Sequence, residues 1–202
     1  EHRCRLIALS GISGIGKTTL AIRLIDSIKS QFDYIIYRSF RFSPSLEETL
    51  TKLLQIFSEK NNPQSQESKL STIIDYFRLH RCLILLDDLQ MLFNSQQFAG
   101  QYKSGCEDYQ QFFQLVGQLS HNSCVMLIGS EKPRDIAKQE KENHLVRSFI
   151  LQGLGEAAAE ILRAQNLCHE ASWETLINTY QGHPLWLQLT ATMIQELCGG
   201  RV

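Results

Sequence analysis

The chain has almost no charge imbalance. It carries 20 Lys and Arg against 21 Asp and Glu, a formal net charge of −1. Total charge therefore gives no argument for a nucleic-acid or membrane-surface partner. Long apolar runs are also missing. The strongest, CLILL at 82–86, is strand-sized, far short of the roughly 20 residues that cross a bilayer. No C-x-x-C pair occurs among the 6 cysteines, and the 6 histidines add no zinc spacing. Cys4, Cys82, Cys106, Cys124, Cys168 and Cys198 therefore read as free thiols of a reducing compartment, which makes the expected location cytoplasmic. There is no signal peptide, internal repeat or low-complexity tract. The chain opens at Glu1 without Met, so a fragment of a longer protein is expected.

What remains is an ordinary globular composition. Of 202 residues, 43% are hydrophobic and 20% charged, which suits a packed core. The length suffices for one α/β domain and a smaller appendage. RLIAL (5–9) is a short apolar run for a buried strand. A helix follows over 18–29, with Leu20, Ile22, Leu24, Ile25 and Ile28 as its apolar positions. FDYIIYRSF (32–40) reads as a second strand. Ser45 then opens a helix through a capping box, S-L-E-E, in which Glu48 reaches back to the cap. Residues 61–66 read as a polar loop, and Leu70, Ile73, Ile74, Phe77 and Leu79 mark another helix.

RCLILLD (81–87) has no polar alternation, the pattern of a strand buried on both faces of a parallel sheet. Residues 94–108 are polar and weakly periodic, so they read as a surface insertion. A helix over 109–119, a strand over 124–129, a short helix from Pro133 and a strand over 145–151 complete the alternation. Strands alternating with helices give a doubly wound parallel sheet.

Near Gln152 the strand rhythm stops. Three helical patterns remain: 156–165; a helix capped by Ser172 and ended by Gly182; and a last helix with Pro184 in its first turn. Leu185, Leu189, Met193, Ile194 and Leu197 are the apolar positions of that last helix. The expected class is α/β, a P-loop NTPase parallel sheet flanked by helices. Residues 1–152 would form it, and 153–202 a small all-helical domain.

GISGIGKT (11–18) fits G-x-x-x-x-G-K-[ST], the phosphate-binding loop, and it lies between a strand and a helix. Gly11, Gly14 and Gly16 let the backbone curl so that N–H groups converge, those of Ile12 and Ile15 belonging to the same cradle. Lys17 would reach the β- and γ-phosphates, and the Thr18 hydroxyl would sit on Mg²⁺. A phosphate here faces a helix N-terminus, where unpaired N–H groups and the macrodipole favour an anion. Asp87 and Asp88 end the third strand, on the edge of an open parallel sheet where ligands bind. Asp87 is the candidate Mg²⁺ ligand. Asp88 is the candidate base that orients or deprotonates water.

The ordered set GISGIGKTTLA, FDYIIYRSF, CLILLDDLQ, CVMLIGSEKPRDI, LQGLGEAAAEIL and GHPLWLQL resembles the NB-ARC branch of the STAND signalling ATPases. It is most similar to bacterial members that precede WD-repeat-type sensor arrays, whose typical insertion resembles AGQYKSGCEDY (99–109). The resemblance implies that Lys17 is the phosphate lysine, Thr18 the Mg²⁺ ligand and Asp87 the Walker B acid. It places Thr19 near the α-phosphate and makes Pro184 the proline that closes over base and sugar. Leu154 and Gly153 would begin the first helical subdomain.

The implied cofactors are ATP or ADP with Mg²⁺. The implied partners are an adenine nucleotide, effector and sensor domains of the same chain, and a second copy in an ATP-state homo-oligomer. One position departs from the pattern. Related chains place a γ-phosphate-sensing arginine where Ser130 stands, and serine cannot make a charged bidentate contact. Lys132, Arg134 and Arg38 are the nearby cations.

The function implied is a nucleotide-dependent molecular switch with slow hydrolysis. Two alternatives stand beside it: an interaction module that binds nucleotide without hydrolysing it, and a P-loop small-molecule kinase.

Overall fold

The computed structural model describes residues 4–57, 65–94 and 100–202. Residues 61–64 of the expected 61–66 loop and 95–99 of the 94–108 insertion lie outside the described residues. The chain divides into two compact units, residues 1–10 with 21–149, and residues 11–20 with 150–202.

The first unit is built on a sheet of five strands: β1 (Leu6–Ser10), β2 (Tyr34–Ser39), β3 (Cys82–Asp87), β4 (Cys124–Gly129) and β5 (Val146–Ile150). Their order is β2-β3-β4-β1-β5, and the β2·β3, β3·β4 and β1·β4 pairs are parallel. All residues of β3 and β4 are buried. The period-2 pleat explains why they show no polar alternation. Cys82, Ile84 and Leu86 join Leu6, Ala8, Val125 and Leu127 in one core. Leu83, Leu85, Met126 and Ile128 line the opposite core.

The first core is filled by α2 (Leu46–Ile56), α3 (Gln66–Leu79) and α4 (Asp108–Gln118), with Ile136 of α5 (Arg134–Glu142). The second takes Ala21, Ile25 and Ile28 of α1 (Lys17–Ile28). Of α1's expected apolar positions, Ile25 and Ile28 face the sheet, whereas Leu20, Ile22 and Leu24 are exposed. Residues two apart on a helix point to different sides, so one sheet cannot cover all five. Helix α2 starts as expected, the Ser45 hydroxyl accepting from Glu48 N–H at 3.2 Å. The reciprocal arm is absent, because the Glu48 carboxylate pairs with Lys52 instead.

The second unit carries α6 (Ala159–Ala164), α7 (Trp173–Thr179) and α8 (Pro184–Cys198) around a core of Ala158, Leu162, Leu167, Trp173, Leu187 and Ala191. Two expectations change here. Ser172 makes no side-chain cap, because it ends a 3₁₀ turn with a helical backbone rather than the extended one a capping side chain needs. And α8 buries Leu187 and Ala191, while Leu185, Leu189, Met193 and Leu197 lie on its exposed side. The helix is apolar on both sides, so periodicity could not tell which one is covered.

Gly182, with a φ of +67°, ends α7, and its N–H bonds Ile177 O at 2.9 Å. A Cβ on Gly182 would meet Leu154 N and Gly155 N at 3.0 Å. The GLGEA and GHPL segments therefore touch backbone to backbone.

All six cysteines are free. Burial pushes the Cys82 thiol up to about 11 and the Cys124 thiol up to about 12. Among the described residues, no helix is long and apolar enough to cross a membrane.

Candidate nucleotide site

Strand β1 ends at Ser10 and the glycine loop begins at the next residue. Gly14 and Gly16 have φ of +80° and +100°, in the region that L side chains rarely adopt. They are not equivalent. A Cβ on Gly16 would meet nothing within 4 Å, so open space lies beside it. A Cβ on Gly14 would meet Leu185 Cδ2 at 2.7 Å and His183 Cε1 at 2.9 Å. Lys17 begins α1 and donates to the carbonyls of Gly11 at 2.8 Å and Ile12 at 3.0 Å. Its ammonium is thus folded over the loop. Ile15 is buried, whereas Ile12 and Thr19 are exposed and Thr18 is half-buried.

His183 is 4% exposed and precedes Pro184, the first residue of α8. Its Nδ1 accepts from Trp186 N–H at 3.3 Å, so Nε2 carries the proton and donates to Ser13 O at 3.0 Å. One ring therefore caps α8 and bonds the glycine loop. The helix-start role and the loop contact of the His183-Pro184 pair coexist.

The acid pair forms a second cluster at the carboxyl end of β3. Asp87 is buried; its Oδ1 accepts from Asp88 N–H at 2.8 Å and its Oδ2 from Tyr37 OH at 3.0 Å. Burial first, and then this bond to Asp87, push the Tyr37 phenol up to about 12, so it remains a neutral donor. Asp88 has a left-handed φ of 60°, which Asp tolerates better than most residues. Its carboxylate accepts from Ser39 OH at 2.7 Å and Gln90 Nε2 at 3.3 Å.

Tyr37 and Ser39 were not singled out in the sequence. The available signal was their spacing of two on β2, which puts both on one side of a strand that pairs Ser39 with Asp87. No group of three or more His, Cys, Asp or Glu suited to a metal occurs among the described residues. Asp87 and a hydroxyl could supply only part of an oxygen shell, as Mg²⁺ sites completed by water and phosphate do.

Residues 1–137 match the AAA domain family, more than half of the chain. The chain belongs to that family. This AAA domain is 37% identical over 216 residues to an uncharacterised WD repeat-containing protein of Nostoc sp., a match covering 100% of the chain and 17% of the relative. It is 27% identical over 197 residues to disease resistance protein RRS1B of Arabidopsis thaliana, covering 92% of the chain and 13% of the relative. The chain thus spans less than a fifth of either relative.

Two solved structures share the fold. The Walker-type ATPase of Pyrococcus abyssi matches with a TM-score of 0.58 at 16% identity, over 96% of this chain and 63% of that one. Cdc6p from Pyrobaculum aerophilum matches with a TM-score of 0.58 at 13% identity, over 79% and 41%.

In this AAA domain, Ser130 is exposed just after β4 and its N–H donates to Gln90 Oε1 at 3.2 Å. Gln90 therefore links Ser130 to Asp88. The nearby cations are placed differently from one another. Lys132 is held by Glu140 at 3.1 Å and Ser148 Oγ at 2.9 Å. Arg134 lines a cavity between α4 and α5. Arg38 is half-buried with its Nε unpartnered, not the exposed strand-end arginine its position suggests.

Proposed function

We propose that this AAA domain is the nucleotide-binding part of an NB-ARC-type molecular switch, with a sheet domain at 1–152 and a helical subdomain at 153–202. The observation that carries the proposal is the His183 bond to the glycine loop. A helix cap that is also a loop ligand ties α8 to the state of the phosphate cradle. A switch needs such a differential contact, since equal affinity for two states moves nothing.

Gly11, Ile12, Gly14, Ile15, Gly16 and Thr19 would hold an adenine nucleotide's phosphates through the loop backbone and the start of α1. Lys17 would turn its ammonium from the Gly11 and Ile12 carbonyls to phosphate oxygens. Pro184 would stand against base and sugar. Thr18 and Asp87 would hold Mg²⁺, which supplies charge neutralisation at the phosphates. Asp88, oriented by Ser39 and Gln90, would position the attacking water. The open space beside Gly16 fits such a ligand. In the longer protein, ADP would accompany a closed form and ATP a homo-oligomerising one, working with effector and sensor domains in the cytoplasm. Similarity to a WD repeat-containing protein and to a disease resistance protein supports that setting.

A non-hydrolysing module is the second reading. Serine at position 130 and the engagement of Lys132 favour it.

Titration of ATP and ADP with Mg²⁺ into the chain, Lys17→Ala and Thr18→Ala tests the site. Both variants are expected to bind about tenfold or more weakly, through loss of a charged contact or a metal ligand. Unchanged affinities in both would refute the assignment. Hydrogen exchange over 183–198 with each nucleotide tests the switch, and equal protection would remove it. Single turnover with bound ATP separates the two readings.

A further inference from the structure

Strand β2 holds both acids at the end of β3, each with a side chain of different length. In the β2·β3 register Ser39 stands beside Asp87 and Tyr37 beside Leu85. Alternate residues of a strand share a face, so Tyr37, Ser39, Leu85 and Asp87 lie on one side of the sheet. It is the side that Ala21, Ile25 and Ile28 of α1 cover. The short Ser39 side chain passes its neighbour and donates to Asp88 at 2.7 Å. Tyr37 starts two residues further back. Its longer side chain spans the diagonal and donates to Asp87 Oδ2 at 3.0 Å.

That bond limits a specific freedom. The terminal torsion of an aspartate is broad and roughly two-fold, so the carboxyl plane is set by what its oxygens accept. Asp87 Oδ1 accepts from the N–H of Asp88, the next residue, at 2.8 Å. This ties one corner of the carboxylate to its own turn. Tyr37 ties the other corner from a neighbouring strand. The backbone beneath is joined to β2 as well, since Phe40 N–H donates to Asp87 O at 2.8 Å. Packing gives little reason for a tyrosine here. Its side chain is 49% exposed, and a phenylalanine would fill the same space. The hydroxyl is the part with a task. A carboxylate that receives a metal ion works best when its orientation is fixed beforehand, and hydrogen-bonded partners behind the ligand do this.

We infer that Tyr37 is a positioning residue for Asp87, holding its carboxyl plane in the orientation that receives Mg²⁺. The inference rests on the Mg²⁺ role proposed for Asp87. Tyr37 acts only through Asp87 Oδ2.

The test titrates Mg²⁺ into the 202-residue chain with bound N-methylanthraniloyl-ADP and reads the midpoint by fluorescence. Affinity for the same nucleotide in EDTA is measured beside it. Tyr37→Phe removes only the hydroxyl. It is expected to raise the Mg²⁺ midpoint roughly tenfold, as loss of a partner behind a metal ligand does, and to leave the EDTA affinity unchanged. Ile35→Ala, on the same face of β2, should leave both unchanged. In an Asp87→Asn background, Tyr37→Phe should add nothing, because residues that act through one another are not additive. Four results would overturn the inference: a Tyr37→Phe midpoint at or below the parent's, an equal loss of affinity in EDTA, an equal rise in Ile35→Ala, or an undiminished effect in the Asp87→Asn background. Asp87→Asn alone separates the two levels. If its Mg²⁺ midpoint equals the parent's, the metal role of Asp87 falls and takes the inference with it. If its midpoint rises while that of Tyr37→Phe does not, only the inference falls.

Discussion

Ser130 is the residue at which the proposed discrimination of ATP from ADP is tested. Its backbone, not its side chain, is engaged, through Gln90 Oε1. The side chain is therefore free to be enlarged toward solvent. Ser130→Arg is expected to raise the ATP-to-ADP affinity ratio, by up to roughly a hundredfold if a charged hydrogen bond forms. Titrating both nucleotides into both chains measures it, and an unchanged ratio would place discrimination elsewhere. His121 sets a pH effect. Burial lowers its imidazole below the ordinary histidine range, against an opposing bond to the Val116 carbonyl. Above about pH 6.5 both folded and unfolded chains hold it neutral. Below that, the unfolded chain takes up a proton that the folded chain resists, so stability falls with pH. His121→Gln should flatten this part of the profile. Urea midpoints at pH 7 and 5.5 for both chains give the answer.

At the scale of elements, glycines decide how close two segments come. A Cβ on Gly153 would collide with the Gln181 carbonyl, and Gly182 meets Leu154 and Gly155 from the other side. Gly153→Ala should therefore destabilise the second unit by about 1–3 kcal/mol, the usual cost of overpacking. Trp173 fluorescence reports that unit, since the ring sits in its core. A transition identical to the parent's would mean the segments separate without cost. The start of α8 shows the same economy of contact, with one histidine both closing the helix and bonding Ser13.

At the scale of the whole molecule, the sheet is covered by helices on both faces, but the helices are not themselves fully covered. Met193 is 59% exposed and Leu197 77%, on the side of α8 opposite Leu187 and Ala191. Met193→Glu and Leu197→Glu should each leave unfolding stability within about 0.5 kcal/mol, as exposed positions do. Chemical denaturation measures this; a loss of several kcal/mol would mean that the stripe is covered in solution.

Local chemistry wrote much of this protein in plain view. The glycine loop needs particular residue types at fixed spacing, and strands buried on both faces need unbroken apolar runs, so GISGIGKT, CLILL and CVMLIG could be placed without coordinates. So could the parallel five-stranded sheet, because alternating strands and helices leave few other topologies. Contacts between distant segments left no such trace. Tyr37 reaches Asp87 across 50 residues, and His183 reaches Ser13 across 170. Helix α8 carries apolar side chains on two sides, and only the packing of α6 and α7 selected the side with Leu187 and Ala191. Periodicity records which side chains share a face; which face is covered, and by what, depends on partners that only folding brings near.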